Sequence, residues 1–213
     1  RVLSECVLSN EARRDAAPLF FSQVSQSRHP SFLCDNIPMT SPDFPILHTL
    51  RLLLRELRPA DLEPFYRLRS DPAVTLPYYA EPKTREQAEA KLAALMRDNT
   101  ARDSLTWCIA RTGAPDVLIG TICLWNFRST TAEIGYDLLP AYHRQGIMRE
   151  AALRLIDYGF GELGLSLIDA EANPCNEPSC RLLEKLGFQK GETSIEQEKE
   201  GIVREYVKYI LER

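Results

Sequence analysis

The rhythm of apolar positions divides the chain into two stretches. Residues 1–45 hold no sustained period and are interrupted by five prolines and seven serines. They are expected to form a poorly ordered extension that adds little to a core. Over residues 46–213 the periods alternate. Residues 50–57 predict a strand, and Asp61 stands where it can cap a following helix, with Pro64 tolerated in the first turn. Leu62, Phe65, Tyr66 and Leu68 supply that helix with an apolar side. Thr84-Arg85-Glu86-Gln87 has the form of a capping box, and Ala88, Leu92, Leu95 and Met96 recur behind it at helical spacing.

Strand material follows. Residues 107–111 and 117–127 flank a turn at 112–116, and 130–138 make a third strand that Pro140 ends. Helical spacing returns over 146–160, with Ala152, Leu155, Ile156 and Phe160 on one side. Residues 165–172 predict a strand. Residues 176–186 predict a helix capped by Asn176 and stopped by Gly187, at the position that favours a left-handed residue. Residues 188–194 and 202–211 predict a closing hairpin. The predicted order is β-α-α-β-β-β-α-β-α-β-β, an α/β (α+β) chain. Its central meander favours antiparallel pairing, and its strand–helix–strand unit at 130–172 favours one parallel pair.

Composition narrows the function. Lys and Arg total 26 against 30 Asp and Glu, a net charge of -4. A mild acidic balance argues against a nucleic-acid partner and suits a cationic substrate such as an amine. No apolar run reaches the ~20 residues that span a bilayer, so no membrane association is expected. Residues 1–30 lack the apolar stretch of a secretory signal. The cysteines Cys6, Cys34, Cys108, Cys123, Cys175 and Cys180 form no CxxC pair, and with His29, His48 and His143 they assemble no zinc pattern. They are expected to be reduced thiols of a cytoplasmic protein without a metal.

The segment 132–148 carries the chemistry. It runs as a strand, a short turn and a helix start, with Gly146 and basic residues in the turn. A helix N-terminus offers unpaired N–H groups and partial positive charge, and a glycine there lets a phosphate approach the backbone. A single such glycine also fits a plain strand-to-helix turn. Cys175 and Cys180, with His143, form a weaker nucleophile arrangement that lacks an orienting Asn or Asp.

His143-Arg144-Gln145-Gly146-Ile147-Met148 resembles the pyrophosphate-binding motif of the GCN5-related N-acetyltransferase (GNAT) superfamily, Gln/Arg-x-x-Gly-x-Gly/Ala. His143 replaces the usual Gln or Arg, and Met148 replaces the small residue. Gly-Ile-Met ahead of Glu150-Ala151 is similar to the ribosomal-protein-alanine N-acetyltransferase-like (RimJ/RimL) branch. Asn176-Glu177-Pro178-Ser179, followed by Glu184-Lys185-Leu186-Gly187-Phe188, resembles that family's Asn-x-x-Ser helix. The resemblance covers about residues 50–211. It implies a mixed, mostly antiparallel sheet with a splayed parallel pair, helices on both faces, and acetyl-CoA in the cleft.

The resemblance also implies roles. Leu138, His143, Arg144, Gln145, Gly146, Ile147, Met148, Asn176 and Ser179 are expected at acetyl-CoA, with Arg149 a further countercharge. In a strand Glu133 shares a face with Gly135 and Asp137, opposite Ile134, Tyr136 and Leu138. Glu133 is the candidate general base, acting through water, and Asp137 is its rival. The expected oxyanion donor is a backbone N–H near Leu138. Many relatives carry a Tyr acid seven residues past the Asn, where this chain has Leu183, so Ser179 is expected to meet the CoA sulfur. Tyr78 and Tyr79 are weaker candidates for the acceptor pocket. The expected activity is acetyl transfer to a primary amine, with a protein N-terminal α-amine favoured over a small molecule. The alternative is a non-catalytic acyl-CoA-binding module. A monomer or homodimer is expected.

Overall fold

The computed structural model describes residues 43–78, 81–197 and 203–213. Strands β1 (Leu47–His48) and β2 (Leu52–Glu56) precede helices α1 (Leu62–Ser70), α2 (Pro72–Thr75) and α3 (Arg85–Ala101). The meander β3 (Leu105–Arg111), β4 (Gly120–Arg128) and β5 (Thr131–Leu138) follows. Helix α4 (Ile147–Gly161), strand β6 (Leu167–Ala172), helix α5 (Glu177–Lys185) and strands β7 (Gln189–Gln197) and β8 (Val203–Glu212) complete the chain. The eight strands form one sheet in the order β1-β2-β3-β4-β5-β6-β8-β7. Every neighbouring pair is antiparallel except β5 and β6. The expected architecture is present, with β1 and α2 added.

Local signals placed several elements. Thr84 accepts from the Gln87 N–H while the Gln87 side chain accepts from the Thr84 N–H, which closes the capping box. Asn176 caps α5 by accepting the Ser179 N–H at 3.3 Å, and Gly187 follows that helix at φ 94°. Asp61 departs from its expected part. It precedes α1 without a side-chain cap, because Arg55 takes both its oxygens at 2.7 and 2.8 Å inside the protein. A buried guanidinium left without that carboxylate would be costly, and that demand outranks one helix N–H.

Two cores lie on opposite faces of the sheet. Trp107, Ile109, Ile122, Leu124, Ile134 and Ile168 pack with Ala152 and Leu155 of α4. Cys108, Ala110 and Leu118 pack with Phe65, Leu68, Leu92 and Leu95 of α1 and α3. Phe44 lies against Trp107 at 5.2 Å between ring centres, and the Trp107 indole N–H donates to the Pro45 carbonyl at 2.6 Å. The packed chain therefore includes Phe44 and Pro45, two positions that the apolar rhythm assigned to the extension. Residues 1–42 of that extension lie outside the described residues.

Cys108, Cys123 and Cys180 are free thiols, and burial pushes Cys108 and Cys123 up to about 12. Cys175 is disulfide-bonded, which corrects the expectation of reduced thiols at that residue. Cys6 and Cys34 lie outside the described residues.

Candidate active site

The sheet opens where β5 and β6 meet. They pair only over Thr131–Leu167, Ala132–Ile168 and Glu133–Asp169, although β5 continues to Leu138 and β6 to Ala172. Beyond that point each strand stays with its outer neighbour, β5 with β4 and β6 with β8. An irregularity in β4 between Trp125 and Arg128, with Asn126 at φ 50°, adds twist beside the opening.

The backbone of β5 faces this opening at alternate residues. The Thr130 carbonyl accepts the Ser166 N–H at 2.8 Å, and the Tyr136 carbonyl accepts the Tyr78 hydroxyl at 2.8 Å. Leu139 turns its N–H the other way, to the Ile119 carbonyl at 3.0 Å. Strand alternation then directs the Leu138 N–H and carbonyl toward β6, into the splay. His143 Nε2 donates to that carbonyl at 2.8 Å. The His that departs from the family motif thus pins the turn back onto the strand end.

The turn itself is strained toward a backbone cradle. Arg144 at φ 59° and Gly146 at φ 73° both take left-handed conformations. Glycine adopts this readily, whereas arginine does so at a cost. Gly146 stands at the N-cap of α4 without a side-chain cap, so the first-turn N–H groups stay available to an anion. Cations surround them. Arg51 donates to the Gln145 carbonyl at 3.1 Å and to Glu150 at 2.6 Å, and Arg111 donates to the Gln145 side chain at 2.8 Å. Arg51 and Arg111 belong to distant parts of the chain, and the turn motif gave no sign of them. The Ile147 and Met148 side chains are buried in the core, so only their backbone faces the turn.

Glu133 lies on the opposite sheet face from Ile134, as the alternation predicts. It is half-buried, and Asn126 donates to its carboxylate at 3.4 Å. Loss of hydration and the nearby carboxylates Glu171 and Asp169 push Glu133 up to about 8. Asp169 is held by Arg128 at 2.7 Å and Lys208 at 3.1 Å. Asp137, the rival acid, is buried and paired with Arg69 of α1 at 2.9 Å.

Across the splay, Ser179 opens α5. Its hydroxyl lies 2.9 Å from the Tyr136 hydroxyl. Asn176 is occupied in capping α5, and Leu183 is buried in the core. Asn173 is buried, donates to the Pro77 carbonyl at 3.0 Å and accepts the Cys175 N–H at 2.9 Å. It ties the segment before Tyr78 to the end of β6. Tyr79 lies outside the described residues. Sequence reading placed Tyr136 among the apolar core set and missed its hydroxyl contact, which only the approach of α5 creates.

The opening between β5 and β6 therefore runs from Glu133 along the β5 edge past Leu138, and the chain leads from there to the uncapped start of α4 at Gly146. Comparison with known proteins shows the family. Residues 51–189 fit the model of the acetyltransferase (GNAT) domain. The chain belongs to the GNAT acetyltransferase family. It is 36% identical over 167 residues to the uncharacterized N-acetyltransferase YoaA of Bacillus subtilis (strain 168), covering 77% of this chain and 89% of YoaA. Among solved structures, an acetyltransferase of the GNAT family from Bacillus anthracis has a TM-score of 0.69 at 24% identity, covering 79% of this chain and 98% of its own. RimL, a ribosomal L7/L12 alpha-N-protein acetyltransferase in complex with coenzyme A, has a TM-score of 0.67 at 15% identity, over 79% of this chain and 98% of RimL. This GNAT chain is thus an acetyl-transferring enzyme. Among the described residues, no helix is long and apolar enough to cross a membrane.

Proposed function

We propose that this GNAT enzyme transfers the acetyl group of acetyl-CoA to a primary amine, with a protein N-terminal α-amine as the preferred acceptor. One observation carries the reading. The unpaired edge of β5 presents the Leu138 N–H, and the same strand leads within one turn to the uncapped start of α4 at Gly146. A ligand with a carbonyl at one end and a diphosphate toward the other suits that edge, and acetyl-CoA has this form. Gly146, Ile147 and Met148 would meet the diphosphate through backbone N–H groups, with Arg144 and Arg149 as countercharge.

Glu133 takes the amine proton through water, and the amine lone pair attacks the thioester carbonyl. The Leu138 N–H donates to the oxyanion. Collapse of the tetrahedral intermediate breaks the C–S bond and expels the thiolate, with the Ser179 hydroxyl as its hydrogen-bond donor. Near pH 7 the raised Glu133 is largely protonated, and an approaching ammonium favours its charged form. Glu171 on the same face adds to the attraction for a cationic acceptor. The α-amine preference rests on the RimJ/RimL-like Gly-Ile-Met and Asn-x-x-Ser motifs. A competition assay tests it. With equimolar free-N-terminus peptide and polyamine, mass spectrometry should find the acetyl group on the peptide α-amine, and acetylated polyamine as the main product would contradict the preference.

A cytoplasmic setting accords with the free thiols Cys108, Cys123 and Cys180, while the Cys175 disulfide runs against it. Titrating thiols in protein purified without reductant discriminates the two. Full reactivity of all six under denaturation supports the cytoplasmic reading, and fewer contradicts it.

A further inference from the structure

The Tyr136–Ser179 contact joins β5 to α5, the helix that follows β6. Tyr136 precedes Leu138 by two residues on β5, and Ser179 sits in the first turn of α5. Their hydroxyl oxygens are 2.9 Å apart, and Ser179 is buried. The Tyr136 backbone is fixed as well, because its carbonyl accepts the Tyr78 hydroxyl. Either hydroxyl can be the donor in such a pair, but a phenol is the more acidic of the two and the better donor. With Tyr136 donating, the Ser179 oxygen is an acceptor and its own proton is turned away from Tyr136.

We propose that Tyr136 is a positioning residue that orients the Ser179 hydroxyl so that its proton points at the departing thiolate. The inference rests on the proposed acetyl-CoA reaction. The chain then runs phenol O–H to serine oxygen, and serine O–H to sulfur. No proton needs to leave either residue, since the thiolate is stabilised by the hydrogen bond and released as thiolate or protonated by water. Burial pushes the Tyr136 phenol up to about 12, which keeps it a donor across the working pH range. The arrangement supplies an oriented donor where Leu183 cannot act as an acid.

Tyr136→Phe removes one oxygen and keeps the ring. Its kcat should fall about tenfold, with KM for acetyl-CoA and Tm close to wild type. Ser179→Ala should fall at least as far, and the double variant should match Ser179→Ala alone, because the phenol acts only through the serine. A structural role would not produce that non-additivity. A second readout changes the leaving group. With the acetyl selenoester of the CoA analogue, whose selenol is far more acidic, the Tyr136→Phe deficit should shrink to within about threefold. Fully additive losses, or an unchanged deficit with the selenoester, would overturn the inference while leaving wild-type turnover in place. A wild type that acetylates no amine in the same assay would overturn the proposed reaction and the inference with it.

Discussion

At the scale of single residues, the proposed base Glu133 offers the sharpest test of the reaction. Glu133→Gln keeps size and hydrogen bonding but removes basicity. Its kcat/KM should fall about 10²–10⁴-fold at neutral pH with acetyl-CoA affinity nearly unchanged, and the loss should shrink at high pH, where the amine deprotonates unaided. A loss within about threefold would contradict the role. Linkage gives a readout that needs no turnover. Glu133 holds its proton up to about 8 in the folded protein, against a usual value of 4.5, so the folded state binds more protons than the unfolded state between those values. Stability contributed by that carboxyl is present below the unfolded value and falls as pH rises toward the folded one. The Tm of Glu133→Gln relative to wild type should therefore climb from pH 5 to pH 8 and then level, and a flat difference contradicts the raised value. Asp137→Asn is the paired control. It leaves Arg69 without its carboxylate, so it should cost about 3 kcal/mol of stability, read as a lower denaturation midpoint, before any effect on the base step.

At the scale of elements, the β5–turn–α4 unit would hold both the acyl end and the diphosphate end of acetyl-CoA in the proposed reaction. Gly146→Glu adds bulk, disfavours the left-handed backbone and brings negative charge to the uncapped helix start. Calorimetry should show at least a tenfold loss of acetyl-CoA affinity, about 1.4 kcal/mol. Unchanged affinity would contradict the placement of the diphosphate. Elements that depend on nearby residues were legible in the sequence. Thr84 and Asn176 cap as their spacing indicates, because the partners lie three residues away. The alternation along β5 also put Glu133, Gly135 and Asp137 on one face correctly. What the sequence concealed depends on distant approach. Asp61 looked like a cap until Arg55 claimed it. Tyr136 looked like plain core until Ser179 met its hydroxyl. Arg51, just before β2, and Arg111, at the end of β3, reach the Gln145 turn from segments that local patterns do not connect to it. The length of the β5–β6 pairing, three residue pairs, was equally hidden, since periodicity says nothing of where two strands part.

At the scale of the whole molecule, the sheet anchors its first strand through Phe44 and Pro45. A chain starting at Met39 keeps both and should retain its Tm and activity. A chain starting at Ile46 loses the Phe44 ring and leaves the Trp107 indole N–H without the Pro45 carbonyl. An unsatisfied buried donor alone costs about 1–3 kcal/mol. Differential scanning calorimetry should show the shorter chain melting several degrees lower, and equal melting of both would contradict the anchor. The central claim concerns the molecule as a catalyst rather than a binder of acyl-CoA. The most direct measurement is release of free thiol from acetyl-CoA by the intact protein, with and without a panel of free-N-terminus peptides, polyamines and amino acids. Thiol should appear only when an amine is present, in amounts equal to the acetylated amine found by mass spectrometry. Tight acetyl-CoA binding with no thiol released for any amine would contradict the account and favour a non-catalytic binding module.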